Sequence, residues 1–175
     1  MHTLARTPPS SPFDPATVTA IPGRDDDGRH LRLRIETRRM AEVVDLTASL
    51  ESFLLLSGVR HGLLAIHTLH TTTAIVVNEQ EPLLHGDFFR QLDRLAPPTL
   101  AYDHDDPTRR VVNRTEAERT NGHAHCQAML LGSSASVPVV GGRLMLGRWQ
   151  RVLFVELDGP QERQVCAALI SSARD

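Results

Sequence analysis

The sequence predicts a single α+β domain, a largely antiparallel β-sheet sandwich with about three helices on one side. Two patterns in the 175 residues carry this reading. Stretches of alternating or continuous β-branched and apolar residues sit at both ends of the chain, while three shorter stretches of helical spacing lie between them. A hydrophobic content of 41% is enough for one real core, and the length is too short for two comfortable ones.

Residues 1–28 carry Pro8, Pro9, Pro12, Pro15 and Pro22 and the run Asp25-Asp26-Asp27, which predicts a flexible leader before a domain over 29–175. Leu31, Leu33 and Ile35 alternate with Arg32, Arg34 and Glu36, so residues 30–37 form a half-buried strand. A helix follows, capped by Asp45 or Thr47, with Leu46, Leu50, Phe53 and Leu54 on one face and Ser57-Gly58 as its stop. The β-branched run from Gly62 to Glu79 reads as one long, largely buried strand. Pro82 opens the second helix, whose Leu84, Phe88, Leu92 and Leu95 share a face before Pro97-Pro98 ends it. Residues 98–120 are polar and irregular and form a surface loop. The third helix runs from Asn121 or Gly122 to Leu131 and stops at Gly132. Val137–Val140, Arg143–Leu146, Arg148–Leu157 and Arg163–Ile170, separated by glycine-bearing turns, resemble an antiparallel meander.

A formal net charge of -2, with neither sign in long blocks, argues against a nucleic-acid or membrane surface and makes small molecules the expected partners. Residues 1–28 lack the continuous apolar stretch that secretion or membrane spanning would need. Two cysteines without a spacing motif, Cys126 and Cys166, suit a reducing cytoplasm. Cys126 reads as a buried small residue, since no base is arranged beside it.

Four histidine-bearing segments concentrate the chemistry: His67 to His70, His85-Gly86-Asp87, the loop Tyr102-Asp103-His104-Asp105-Asp106, and His123 to His125. On a helix, residues two apart point about 200° apart, so His123 and His125 cannot face one site and one of them is spare. His70 stands beside Thr71 and Thr72, whose hydroxyls flank the ring. Three imidazoles leave one zinc position open for water or substrate, although a hydrogen-bonded core histidine is the plainer reading of any one of them. Glu79, after a buried strand, and Asp87, at the flank of a helix face, are candidate catalytic carboxylates; helix-end charge compensation and a solvated flank are their ordinary alternatives. Ser133 in the turn Gly132-Ser133-Ser134, with Arg148 and Arg163 as charge partners, is a candidate phosphate contact. Gln150, on a strand face with Val152, Phe154 and Glu156, marks a buried network or a pocket wall.

Taken in order, His70-Thr71-Thr72, Asn78-Glu79, Asp87, Tyr102 with His104, Asn121 to His125, Leu146-Gly147-Arg148-Trp149-Gln150 and Glu156-Leu157-Asp158-Gly159-Pro160 resemble the YjbQ-type family. Its members are commonly described as secondary thiamine-phosphate synthase enzymes. The resemblance spans roughly residues 30–170 and implies a homotrimer with sites near subunit boundaries and a divalent metal. It implies His70, His104 and His125 as metal ligands, and Glu79, Asp87, Gln150 and Arg163 as further polar positions of the pattern. The family often places arginine after Gly-Pro, where this chain has Gln161, which leaves Arg163 as the phosphate candidate. The implied reaction joins a pyrimidine diphosphate to a thiazole phosphate with loss of pyrophosphate. Histidine ligands point to zinc, whereas magnesium favours oxygen ligands.

Overall fold

The computed structural model describes residues 16–21, 28–115 and 118–171. Nine strands and three helices are present among them: β1 (Thr17–Ile21), β2 (His30–Glu36), β3 (Glu42–Asp45), α1 (Thr47–Ser57), β4 (Gly62–Thr68), β5 (Thr73–Glu79), α2 (Pro82–Leu95), α3 (Gly122–Leu131), β6 (Ser134–Val140), β7 (Arg143–Leu144), β8 (Gln150–Glu156) and β9 (Glu162–Ser171). A single 3-10 turn, Asp103–Asp105, interrupts the loop between α2 and α3.

The strands form a six-stranded sheet in the order β1-β2-β9-β4-β6-β7 and a three-stranded sheet in the order β3-β8-β5. Every strand pairing among the described residues is antiparallel. Period-two alternation sorts β8 between two cores. Val152 and Phe154 face the six-stranded sheet and pack with Leu33, Ile35, Leu64, Ile66 and Val165. Val155 and Leu157 face the other way and pack with Leu92 of α2 and with Ala124 and Ala128 of α3. The result is sheet on sheet, with α2 and α3 covering the outer face of the smaller sheet. Leu50, Phe53 and Leu54 of α1 enter the core between the sheets.

Three local expectations are corrected. Thr17–Ile21, inside the proline-rich leader, pairs with β2 as an edge strand; residues 1–15 and 22–27 lie outside the described residues. The run Gly62–Glu79 is two strands in different sheets, because the chain crosses the sandwich at residues 69–72. Both halves are buried and β-branched, so composition could not show the break. The C-terminal strands are no meander either: β8 belongs to the small sheet and β9 lies between β2 and β4.

The crossing and the turn between β8 and β9 are tied by one buried ion pair. Glu156 is fully buried and Arg163 is 4% exposed. Arg163 Nε donates to Glu156 Oε2 at 2.7 Å and its NH2 to Oε1 at 2.7 Å. The backbone N–H groups of Leu157 and Asp158 also donate to Oε1, and the Thr37 hydroxyl to Oε2. Arg163 further donates to the Thr72 hydroxyl at 3.2 Å. A Cβ on Gly159 would overlap the Arg39 carbonyl oxygen and come within 2.8 Å of the Glu156 side chain, so the turn closes only around glycine.

Replacing one partner strands a buried charge, which costs more than the pair contributes. Arg163→Met is expected to lower unfolding free energy by about 3–5 kcal/mol, read from urea denaturation, and a loss near zero would show that Glu156 is not held as a buried carboxylate.

Candidate metal centre

The centre is assembled at the N-terminus of α3. The first turn of α3 carries unpaired backbone N–H groups, and Asp105 supplies the missing acceptor: its Oδ1 receives the N–H of Asn121 and the N–H of Gly122, each at 2.9 Å. A Cβ at Gly122 would stand 2.5 Å from the Tyr102 Cβ, so glycine lets the loop lie flat against the helix. The Tyr102 hydroxyl donates to the Pro97 carbonyl at 3.0 Å and fixes the other end of the loop. Asn121 is buried and donates to Asp158 Oδ2 at 3.0 Å, which joins the start of α3 to the turn that Glu156 organises.

This docking brings His104 from the loop against His125 from the first turn of α3, with ring centroids 4.4 Å apart. Glu118 completes the group. One ligand atom each from His104, Glu118 and His125 lies within 4.8 Å of the others. Two imidazoles and a carboxylate suit zinc, and tetrahedral bonds of roughly 2.0–2.2 Å would draw the three atoms closer together. Three protein ligands leave a fourth position for water or substrate.

His70 is not among the converging ligands. Its Nε2 accepts the Gln164 backbone N–H at 2.8 Å, which clamps the β4–β5 crossing onto β9. It does line a cavity of about 660 Å³ together with Thr71, Ser133, Met129 and His125, so the two histidines face one space. Beside it, a cleft of about 520 Å³ is lined by Thr71, Thr72, His104, Arg110, Arg119 and His125, among others.

The remaining expected residues divide. Thr71 is exposed on the crossing and borders both spaces. Thr72 is buried with its hydroxyl under Arg163, and Arg163 borders the cleft while committed to Glu156. Glu79 ends β5, six residues beyond Thr73, which puts it about 20 Å along the strand. Gln150 pairs opposite Glu79 at that same far end and accepts from the Gly147 N–H at 2.8 Å. Asp87 is exposed on α2 and paired with Arg90. Glu79, Gln150 and Asp87 are absent from the ligand group and from the lining of the two spaces around His70, His104 and His125. His123 is half-buried and absent from the ligand group, so it is the spare one of the two helix histidines, whereas Cys126, expected to be buried, is exposed.

Sequence reasoning missed Glu118, Asp105 as the acceptor for α3, Arg110 and Arg119. Arg119 donates to the backbone carbonyls of Asp158 and Gly159 at 2.6 and 3.1 Å and pairs with the Asp158 carboxylate. Asp105 lies 16 residues before Asn121, so no local capping pattern announces it. Glu118 and Arg110 belong to an irregular loop with no periodicity to place them.

Electrostatics favour the neutral imidazole at His125 and at His70. Burial, then the nearby charges of His104 and Arg110, lower the pKa of His125. Burial, then Arg163, lowers that of His70. For Glu118, burial pushes upward, but the hydrogen bond and charge of Arg110, with the Thr115 N–H, hold the carboxyl below its ordinary value. Because the folded pKa values of His70 and His125 lie below 6.5, protons bind the unfolded chain first, and this stability is complete above that pH and lost on acidification. Thermal midpoints of the metal-free protein over about pH 5–8 should fall on the acid side, and the fall should shrink in His70→Asn/His125→Asn; an unchanged slope in the double variant would contradict the assignment.

Comparison with known proteins agrees with this architecture. Residues 31–172 match the family profile described as UPF0047 protein YjbQ-like. A UPF0047 protein of Archaeoglobus fulgidus is 39% identical over 135 residues, 77% of this chain and 96% of the relative. The UPF0047 protein YugU of Bacillus subtilis is 34% identical over 132 residues, 75% of this chain and 91% of the relative. The crystal structure of a hypothetical protein from Aeropyrum pernix superposes with a TM-score of 0.72 at 38% identity, covering 82% of this chain and 98% of that one. A YbjQ-like protein from Sulfolobus solfataricus superposes with a TM-score of 0.73 at 29% identity, covering 90% of this chain and 99% of that one. By sequence and fold together, the chain belongs to the YjbQ-like UPF0047 family.

Proposed function

We propose that this protein is a metal-dependent enzyme acting on a phosphorylated small molecule, with a zinc-type ion held by His104, Glu118 and His125. The observation that carries the reading is the convergence of those three side chains at the edge of a cleft that also presents Arg110 and Arg119. The donor set favours zinc over magnesium, which binds through oxygen. When bound, such an ion supplies Lewis-acid polarisation of a phosphoryl oxygen or lowers the pKa of a water molecule.

The protein's own groups define the rest. Arg119 and the Thr71 hydroxyl line the path by which a phosphate would enter. His70 has its Nε2 committed to Gln164, so Nδ1 is the nitrogen it can turn to a ligand. Thiamine-phosphate formation is the named version of the reaction, since a cationic cleft beside a divalent ion suits a leaving pyrophosphate. A metal-assisted hydrolase is the second reading, favoured by two imidazoles and a carboxylate with an open position.

Exposed apolar side chains on α1 and α3, Leu55, Leu56, Met129 and Leu130, support assembly with further copies, and a homotrimer is the state proposed. No helix among the described residues is long and apolar enough to cross a membrane. Two free cysteines are consistent with the proposed cytoplasmic location.

Zinc-loaded protein should convert either the pyrimidine diphosphate and thiazole phosphate pair or one of a panel of phosphate esters. His125→Ala should lose about 100-fold or more in rate while retaining fold and oligomer. Saturable binding of these compounds with no product would replace the catalytic reading with that of a non-catalytic binding trimer.

A further inference from the structure

Two of the three residues of the ligand group, His104 and Glu118, are already held by a cation. Arg110 NH1 donates to His104 Nε2 at 3.0 Å and stands 3.0 Å from Glu118 Oε2, with the arginine side chain 14% exposed. Its Nε and NH2 are anchored on the carbonyls of Val112 and Asn113. A guanidinium is charged at any physiological pH and offers no lone pair to a metal, so it cannot join a coordination sphere. It can only compete for the same acceptors.

The cleft gives the displaced group somewhere to act. Three arginines line it: Arg110, Arg119 and Arg163. Arg119 is paired with Asp158 and Arg163 with Glu156, and neither carboxylate belongs to the ligand group. Arg110 differs because its carboxylate partner, Glu118, is itself a ligand. An ion that takes Glu118 therefore frees the charge of Arg110 and no other arginine of the cleft. Next to a divalent cation, that freed charge is best neutralised by an anion, and a phosphoryl group matches the planar donor fork.

We propose that a divalent ion and Arg110 exchange partners: the ion takes His104 and Glu118, and the released guanidinium becomes the residue that holds the substrate's phosphoryl group. The assignment rests on the metal-dependent reading above and adds an order to it, metal first and anion second. It also means that the metal-free protein is kept closed by its own arginine.

The test uses zinc and inorganic phosphate as probes on the full chain, in wild type, Arg110→Gln and Arg110→Lys, with thermal melting to establish that each is folded. Zinc affinity is read by competition with a chromogenic chelator, and phosphate binding by calorimetry with and without zinc. Arg110→Gln should bind zinc about tenfold more tightly and lose about tenfold in zinc-dependent phosphate affinity, as expected for one charge-assisted contact. Arg110→Lys, which keeps the charge but not the fork, should fall between. Equal zinc affinity in all three proteins would overturn the exchange and leave the metal reading standing. Tighter zinc binding with unaltered phosphate affinity would overturn the phosphoryl assignment. Zinc bound by none of them would overturn the metal reading and the exchange together.

Discussion

The buried pair between Glu156 and Arg163 is the constraint on which the rest of the molecule depends. Five donors converge on one carboxylate, drawn from β9, from the turn after β8 and from Thr37 beyond β2. Such a charge is tolerated out of water only when its lone pairs are satisfied, and here they are. The pair thereby fixes where the chain leaves the small sheet and enters the large one. Thr72, on the β4–β5 crossing between the sheets, is held to the same guanidinium.

From that anchor the candidate centre follows by a short relay. Glu156 holds the Asp158 N–H, the Asp158 carboxylate holds Asn121, and Asn121 begins α3, one turn before His125. Asp105 then binds the first N–H groups of α3 and carries His104 with it. The histidines thus sit on elements whose positions are set by buried polar contacts rather than by side-chain packing alone. This is a reason for α3 to carry small residues, Gly122, Ala124 and Ala128, at its contacts with the loop and the sheet.

Much of the fold was legible because its signals are local. The alternation of Leu31, Leu33 and Ile35, the Ser57-Gly58 and Gly132 stops and Pro82 at a helix start each act within one turn or one strand, and all three helices fall where these signals put them. The break at residues 69–72 was not legible, because Leu64, Ile66, Ala74 and Ile75 are buried alike on both sides of it. The site was legible in part for the same reason. His104 and His125 announce themselves as residue types; helical geometry showed that one of His123 and His125 is spare, and the family resemblance chose His125. Glu118 and Arg110 become informative only when an irregular loop folds back, and His70, a plausible ligand by type, has its Nε2 bound to the backbone of β9.

The most direct test is bound metal per chain, by elemental analysis of protein purified without an affinity tag and reloaded with zinc. The variants to compare are His104→Ala, Glu118→Ala, His125→Ala and His70→Ala. The account predicts near-stoichiometric zinc in the wild type and in folded His70→Ala, and its loss from the other three. Zinc lost from His70→Ala but kept in Glu118→Ala would contradict the ligand set, and no zinc on the reloaded wild type would contradict the centre itself.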